Sequence, residues 1–90
     1  MIARRFIVRG RVQGVGFRYF AVRAARACGV VGSVRNLPDG GVEAIAEGSS
    51  HAVGHFRDEL KRGPSYANVT AVDEIEMAPT GRYATFDVEY

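Results

Sequence analysis

The chain has 90 residues, of which 47% are apolar and 24% are charged, a composition typical of a globular domain. This composition predicts one domain over residues 1–90 and excludes disordered, collagen-like and coiled-coil classes. The single cysteine, Cys28, cannot close an intrachain disulfide, and with two histidines it cannot complete a convincing zinc site. No signal peptide and no apolar stretch of roughly 18 residues occurs, so we expect a cytoplasmic protein without membrane contact.

The positive charges are concentrated in the first third of the chain. Residues 1–36 contain eight arginines and no acidic residue, whereas residues 37–90 contain four basic and all ten acidic residues. The net charge of the whole chain is +2. We expect the first third to face anions.

A strand followed by a helix is predicted at the start of the chain. Apolar and charged residues alternate from Arg4 to Val12, with Phe6 and Val8 on one face; Arg4, Arg5, Arg9 and Arg11 are assigned to the open face of a sheet. From Phe17 to Cys28 the apolar spacing becomes helical, and Gly29 ends the helix.

The rest of the chain predicts three further strands, one more helix and a terminal strand. Strands at Val30–Leu37 and Val42–Glu47 flank the turn at 38–41 and form a hairpin. A helix capped by Ser49 or Ser50 runs to Gly63-Pro64. Strands follow at Asn68–Met77 and at Tyr83–Tyr90.

The order β-α-β-β-α-β plus a terminal strand predicts an α+β, ferredoxin-like split βαβ sandwich. Its antiparallel sheet carries both helices on one face, with core strand order 4-1-3-2. This topology brings the loop at 13–18 and Asn36 to one end of the sheet, and it places His51 and His55 at the opposite end. The last strand should bring Tyr90 and its terminal carboxylate toward the end of the sheet that carries the loop at 13–18.

The segment at 8–18, which reads V-R-G-R-V-Q-G-V-G-F-R, joins the first strand directly to the first helix. Gly14 and Gly16 can turn successive N–H groups toward one point at a helix N-terminus, which favours an anion. The guanidinium of Arg18 can hold two oxygens of a tetrahedral oxyanion, and the amide of Asn36 can orient water.

Each feature alone is commoner in an ordinary role, as a tight turn, a solvated helix residue or a turn residue. The segment is neither a Walker A loop nor a dinucleotide fingerprint, since it lacks Gly-Lys-Ser/Thr and the third glycine. The convergence of the glycine loop, Arg18 and Asn36 on one edge of the sheet favours a phosphate-sized site.

The segment at 8–18 resembles the first signature of the acylphosphatase family at every motif position. Residues 32–48, G-S-V-R-N-L-P-D-G-G-V-E-A-I-A-E-G, resemble the second signature, except that Ser33 stands where an aromatic residue is usual. The resemblance spans the chain, and the departure at Ser33 concerns packing more than chemistry.

The resemblance implies hydrolysis of the carboxyl–phosphate bond of acyl phosphates, with Arg18 binding phosphate and Asn36 positioning water. The implied substrate-binding residues are Gln13, Gly14, Val15, Gly16 and Phe17. We also expect a monomer that needs no cofactor and no metal, and that is inhibited by its product, inorganic phosphate. Because a carboxylate leaves without a general acid, positioning and electrostatics suffice, and a substrate phosphoryl oxygen can accept the water proton.

Two alternatives remain open. One is an accessory domain that keeps the acylphosphatase fold and handles carbamoyl phosphate, as in hydrogenase-maturation carbamoyl transferases; the stop at Tyr90 favours a free-standing enzyme. The other is an RNA-binding ferredoxin-like module, which is weaker because Phe6 faces the helices and the third strand has no aromatic residue. We therefore expect no nucleic acid partner.

Overall fold

The computed structural model describes residues 1–90 as a five-stranded sheet and two helices. The elements are β1 (Ile2–Arg11), α1 (Phe17–Cys28), β2 (Val31–Asn36), β3 (Val42–Gly48), α2 (Ser50–Arg62), β4 (Asn68–Met77) and β5 (Phe86–Val88). Neither helix has the length and apolarity needed to cross a membrane.

The strand order is β4-β1-β3-β2-β5, which confirms the predicted core order. Both β1 and β2 pair antiparallel with β3, so β1 and β2 run in the same direction. β5 pairs parallel with β2, and it is shorter than the predicted strand at 83–90. The only strand that β5 pairs with is β2. The segment before β5 is hydrogen-bonded to Glu47 of β3.

The helix ends lie where the sequence predicts them. Ser49 caps α2, and its hydroxyl accepts a hydrogen bond from the N–H of Ala52 at 3.1 Å. Gly29 ends α1 in a left-handed conformation, and its N–H donates to the carbonyls of Ala25 and Arg26. These caps satisfy backbone groups that a helix terminus leaves without intrahelical partners.

The core lies between the sheet and the two helices. Phe56 of α2 packs edge-on against Phe6 of β1 and against Phe86 of β5, with ring centroids 6.1 and 5.3 Å apart. All three side chains are fully buried. Burial of these apolar side chains is the main source of stability, because no disulfide is present.

Most of the positive charge of the first third is neutralised within the fold. Five of its eight arginines form ion pairs with later acidic residues: Arg4, Arg5, Arg9, Arg26 and Arg35. Arg11, Arg18 and Arg23 form none. Fewer arginines are therefore available to bind an anion than the charge distribution along the sequence predicts.

Arg4 does not lie on the open face of the sheet, where it was predicted. By strand alternation it shares the face of Phe6, and it contacts Glu74, which also contacts Arg57 of α2. Arg4 therefore lies on the helix side, at the β4 edge, where the acidic side chain satisfies its charge.

Ser33 lies beside a shallow groove on the outer part of the sheet. The residue is buried, and the groove of about 300 Å³ is also lined by Arg82, Tyr83 and Asp87. A larger side chain at position 33 would occupy part of this space. The groove agrees with the expectation that the departure at Ser33 concerns packing.

Glu47 is a buried carboxylate that holds the segment between β4 and β5. It is 1% exposed and accepts hydrogen bonds from the N–H and hydroxyl of Thr80, at 2.9 and 2.8 Å, and from the N–H of Gly81 at 3.1 Å. Burial raises the pKa of Glu47, but these hydrogen bonds outweigh it, so the pKa lies below its ordinary value.

Replacing Glu47 by glutamine is expected to destabilise the fold by about 1–3 kcal/mol at neutral pH, because an amide nitrogen cannot accept these hydrogen bonds. A lowered pKa stabilises the fold above the ordinary glutamate pKa, and this contribution disappears as the pH falls through the folded-state value. Urea unfolding of both proteins at about pH 7 and about pH 3 measures the effect. The difference should shrink at the lower pH; a difference that does not change with pH contradicts the role of the Glu47 charge.

Candidate active site

The loop after β1, the first turn of α1 and the end of β2 meet at one end of the sheet. Val34 is fully buried on the helix side, and Asn36 lies two residues further along β2, so its side chain lies on the same face. Arg35 lies on the other face, where it pairs with Glu43. Alternation therefore directs Asn36 toward the start of α1.

A cavity of about 160 Å³ lies where these three segments meet. It brings Arg18 and Asn36 together, as the topology predicts. Its lining consists of Val12, Gly14, Gly16, Phe17, Arg18, Tyr19 and Asn36. Three of the five predicted substrate-binding residues are among them, and Gln13 and Val15 are not.

The backbone N–H groups of the loop at 14–16 have no hydrogen-bond partner within the fold, and Gly14 and Gly16 line the cavity. Gly14 and Gly16 have φ values of 74° and 76°, in the left-handed region that glycine adopts without strain. The first backbone hydrogen bond of α1 runs from the N–H of Phe20 to the carbonyl of Gly16, and α1 has no side-chain cap and no acidic residue in its first turn. The N–H groups at the start of α1 are thus available to an anion.

Arg18 is partly buried at the cavity and forms no ion pair with any carboxylate. Its guanidinium carbon lies 5.4 Å from the centroid of the Tyr90 ring, a cation–π distance. The predicted approach of Tyr90 is therefore confirmed, through the aromatic ring rather than the terminal carboxylate. The guanidinium fork remains free to bind two oxygens of an oxyanion.

Gln13 and Val15 take other positions. The side-chain nitrogen of Gln13 donates hydrogen bonds to the carbonyls of Leu37 and Gly41, each at 2.8 Å. Val15 is partly buried against the hydrophobic core. Any contact of these two residues with a ligand in the cavity would therefore involve their backbone.

The cavity lining also includes Val12 and Tyr19, which the sequence analysis did not single out. Tyr19 is 68% exposed, an unusual exposure for a large aromatic side chain. Its position directly after Arg18 in the first helical turn is a sequence signal that could have indicated it. Val12 ends the predicted first strand and is almost fully buried.

His51 and His55 lie at the other end of the sheet. α2 follows β3, whose last residue, Gly48, pairs with Ile2 at the start of β1. The two imidazole ring centroids are 4.4 Å apart, and no group of three or more metal-ligating side chains occurs in the structure. Both histidines are exposed side chains of α2.

Replacing both His51 and His55 by alanine is expected to leave unchanged the kcat of the acyl phosphate hydrolysis that the sequence resemblance implies, since neither residue lines the cavity. Turnover of benzoyl phosphate by the double variant, with circular dichroism to check folding, tests this expectation. A folded but inactive double variant would show that the catalytic end of the sheet has been misassigned.

Cys28 lies in the last turn of α1, also away from the cavity, and is partly buried. Burial, with a smaller contribution from the charge of Glu59, raises the pKa of its thiol. The thiolate is therefore disfavoured, which agrees with the packing role that the sequence predicts.

Solved structures share this fold over the whole chain. The acylphosphatase from Bacillus subtilis superimposes with a TM-score of 0.96 at 39% sequence identity, and the match covers 100% of each chain. A structure titled full-length HypF in the phosphate- and nucleotide-bound form matches with a TM-score of 0.87 at 27% identity. That match covers 99% of the present chain but 12% of HypF.

Sequence comparison agrees with the structural comparison. A curated protein named acylphosphatase from Mannheimia succiniciproducens is 43% identical over 90 residues, with complete coverage of both chains. The family model described as Acylphosphatase matches residues 4–88. The chain belongs to the acylphosphatase family.

Proposed function

We propose that the cavity at Arg18 and Asn36 hydrolyses the carboxyl–phosphate bond of acyl phosphates, the reaction of the family to which the chain belongs. The observation that carries this assignment is the convergence of a guanidinium without a carboxylate partner, a side-chain amide and unpaired backbone donors on one small cavity. Residues 1–90 act in this proposal as one catalytic domain.

The phosphoryl group binds at the start of α1. Its oxygens accept hydrogen bonds from the N–H groups of the loop at 14–16 and the first helical turn, and Arg18 donates two more. These donors are already oriented in the folded protein, so little reorganisation is needed when charge develops in the transition state. A volume of about 160 Å³ suits a phosphoryl group better than a whole substrate, whose acyl group would extend outward past Tyr19.

Asn36 positions the attacking water. The water oxygen bonds to phosphorus, the bond between phosphorus and the acyl oxygen breaks, and the electron pair leaves with the carboxylate. No carboxylate or imidazole lines the cavity, so a phosphoryl oxygen of the substrate accepts the water proton. The products are a carboxylate and protonated inorganic phosphate, and no general acid is needed for the leaving group.

The central experiment compares phosphate release from benzoyl phosphate and from p-nitrophenyl phosphate, each with EDTA present. Only the acyl phosphate should be hydrolysed rapidly, because a phenolate leaving group receives no general acid from this site. Equal rates on both substrates would contradict the assignment. Loss of activity in EDTA that a divalent metal restores would contradict a metal-independent reaction.

The pH dependence of kcat tests where the water proton goes. We expect kcat at saturating benzoyl phosphate to stay flat from about pH 5 to about pH 8, because arginine remains protonated throughout. A sigmoidal rise between about pH 6 and pH 7 that disappears when a histidine is replaced would contradict substrate assistance.

Several further properties belong to the same proposal. Inorganic phosphate inhibits by occupying the same donors, because the product retains the phosphoryl oxygens. The protein acts as a monomer in the cytoplasm, where reducing conditions suit the lone thiol of Cys28. Inhibition kinetics and the mass in solution test these two statements.

A second candidate is the accessory role named in the sequence analysis, for which the support is that the same fold forms 12% of the longer HypF chain. Carbamoyl phosphate is itself a carboxyl–phosphate anhydride, so it can be included in the assay above. A strong preference for it over benzoyl phosphate would favour the accessory role. An RNA-binding role has less support, since Phe6 is fully buried on the helix side and β3 carries no aromatic residue.

A further inference from the structure

The side chain of Gln13 cannot serve as a phosphate donor in this fold. Its amide nitrogen carries two hydrogens, and these are directed to the carbonyls of Leu37 and Gly41 at 2.8 Å each. Both partners are acceptors, so the nitrogen rather than the oxygen must face them. The remaining polar atom of the side chain is a carbonyl oxygen, which an anion does not favour.

The two acceptors lie in the turn that follows Asn36. Leu37 is the next residue along the chain, and its N–H donates to the carbonyl of Gly41 at 2.8 Å, closing the hairpin. Gln13 itself directly precedes Gly14, where the loop of unpaired donors begins. One side chain therefore joins the segment that carries the phosphate donors to the segment that carries the water-positioning amide.

We propose that Gln13 is a positioning residue that sets the distance between Asn36 and the phosphate donors. The inference rests on the proposed function, because it assigns Gln13 an effect that acts through Asn36. Asn36 is exposed at the last position of β2, so its placement depends on the hairpin turn beside it. Misplacing a reacting group by about 1 Å can reduce turnover about 100-fold.

The carbonyls do not lose every partner when Gln13 is replaced. The carbonyl of Leu37 also accepts from the N–H of Gly40, and that of Gly41 accepts from the N–H of Leu37. A neutral substitution should therefore keep the hairpin hydrogen-bonded while releasing it from the loop.

The test variant is Gln13→Met, which keeps the length of the side chain and removes its donors. We expect kcat for benzoyl phosphate to fall about tenfold or more, and inhibition by inorganic phosphate to change less than about twofold. Ser49→Ala is the matched control, since it also removes one side-chain hydrogen bond to the backbone, at the far end of the sheet. It should lower the melting temperature without lowering kcat.

The same substitution in an Asn36→Ala background separates the possible roles of Gln13. If Gln13 acts through Asn36, Gln13→Met should change kcat less than about twofold there. An equal loss in both backgrounds, or weaker phosphate inhibition with kcat preserved, overturns the inference alone. A normal kcat in Asn36→Ala itself overturns the role of Asn36 as well, so the two failures are distinguishable.

A second variant keeps the test decisive if Gln13→Met does not fold. Gln13→Asn retains the amide but is one methylene shorter, and it should give a loss of kcat in the same direction with unchanged phosphate inhibition. A folded Gln13→Asn variant with wild-type kcat overturns the inference.

Discussion

Arg18→Lys is expected to reduce kcat/KM for benzoyl phosphate by about 100- to 1000-fold while leaving the fold intact. Removing one preorganised donor from a developing oxyanion has effects of this size in other enzymes. Lysine keeps the positive charge but offers a compact ammonium in place of a planar fork, so it cannot bind two oxygens in parallel. Steady-state kinetics and circular dichroism measure the two halves of this expectation.

Arg23→Lys is the matched control for this substitution. Arg23 lies on the same helix, also forms no ion pair, and does not line the cavity. Its replacement should leave kcat/KM unchanged. If Arg18→Lys retained activity close to wild type, Arg18 would have to be removed from the proposed site, whereas equal losses in both variants would indicate a general effect of positive charge on α1.

Asn36→Ala is expected to lower kcat by about 100-fold with little change in inhibition by inorganic phosphate. The amide is proposed to hold the water rather than the phosphoryl group, so its loss affects turnover more than phosphate affinity. Since Asn36 is exposed and its backbone remains paired with Val42 of β3, the sheet should persist. Kinetics at saturating substrate and phosphate inhibition constants distinguish the two effects.

Asn68→Ala provides the comparison, because Asn68 is also an exposed strand-end asparagine but lies outside the cavity lining. Its kcat should equal that of the wild-type protein. Loss of phosphate inhibition in Asn36→Ala with kcat preserved would contradict the proposed division of roles, since Asn36 would then bind the phosphoryl group.

The helix α1 is an element that local sequence patterns predict correctly. Its residues 17–28 are as predicted, because helical periodicity, the glycines before it and Gly29 after it are all local signals. The last strand could not be predicted as well: its pairing covers only Phe86–Val88, and the loop before it is held by Glu47, a residue more than thirty positions away. No local pattern contains that contact.

For the candidate site too, some features could be predicted from the sequence and others could not. The two signatures and the strand order sufficed to place Arg18 and Asn36 at one end of the sheet, since strand direction follows from connectivity alone. The use of Gln13 could not be predicted, because a side-chain amide can face either an anion or a carbonyl and only the fold brings Leu37 and Gly41 within 2.8 Å of it.

The sequence by itself determined the element order, the family and the end of the sheet where the candidate site lies, because periodicity, turn residues and motif spacing act over short distances. Only the tertiary structure decided which charges remain unpaired. Five arginines of the first third meet carboxylates on distant strands and loops, whereas Arg18 meets the ring of Tyr90 and stays without a carboxylate partner. Ion pairing depends on proximity in space, and a linear charge count carries no information about it.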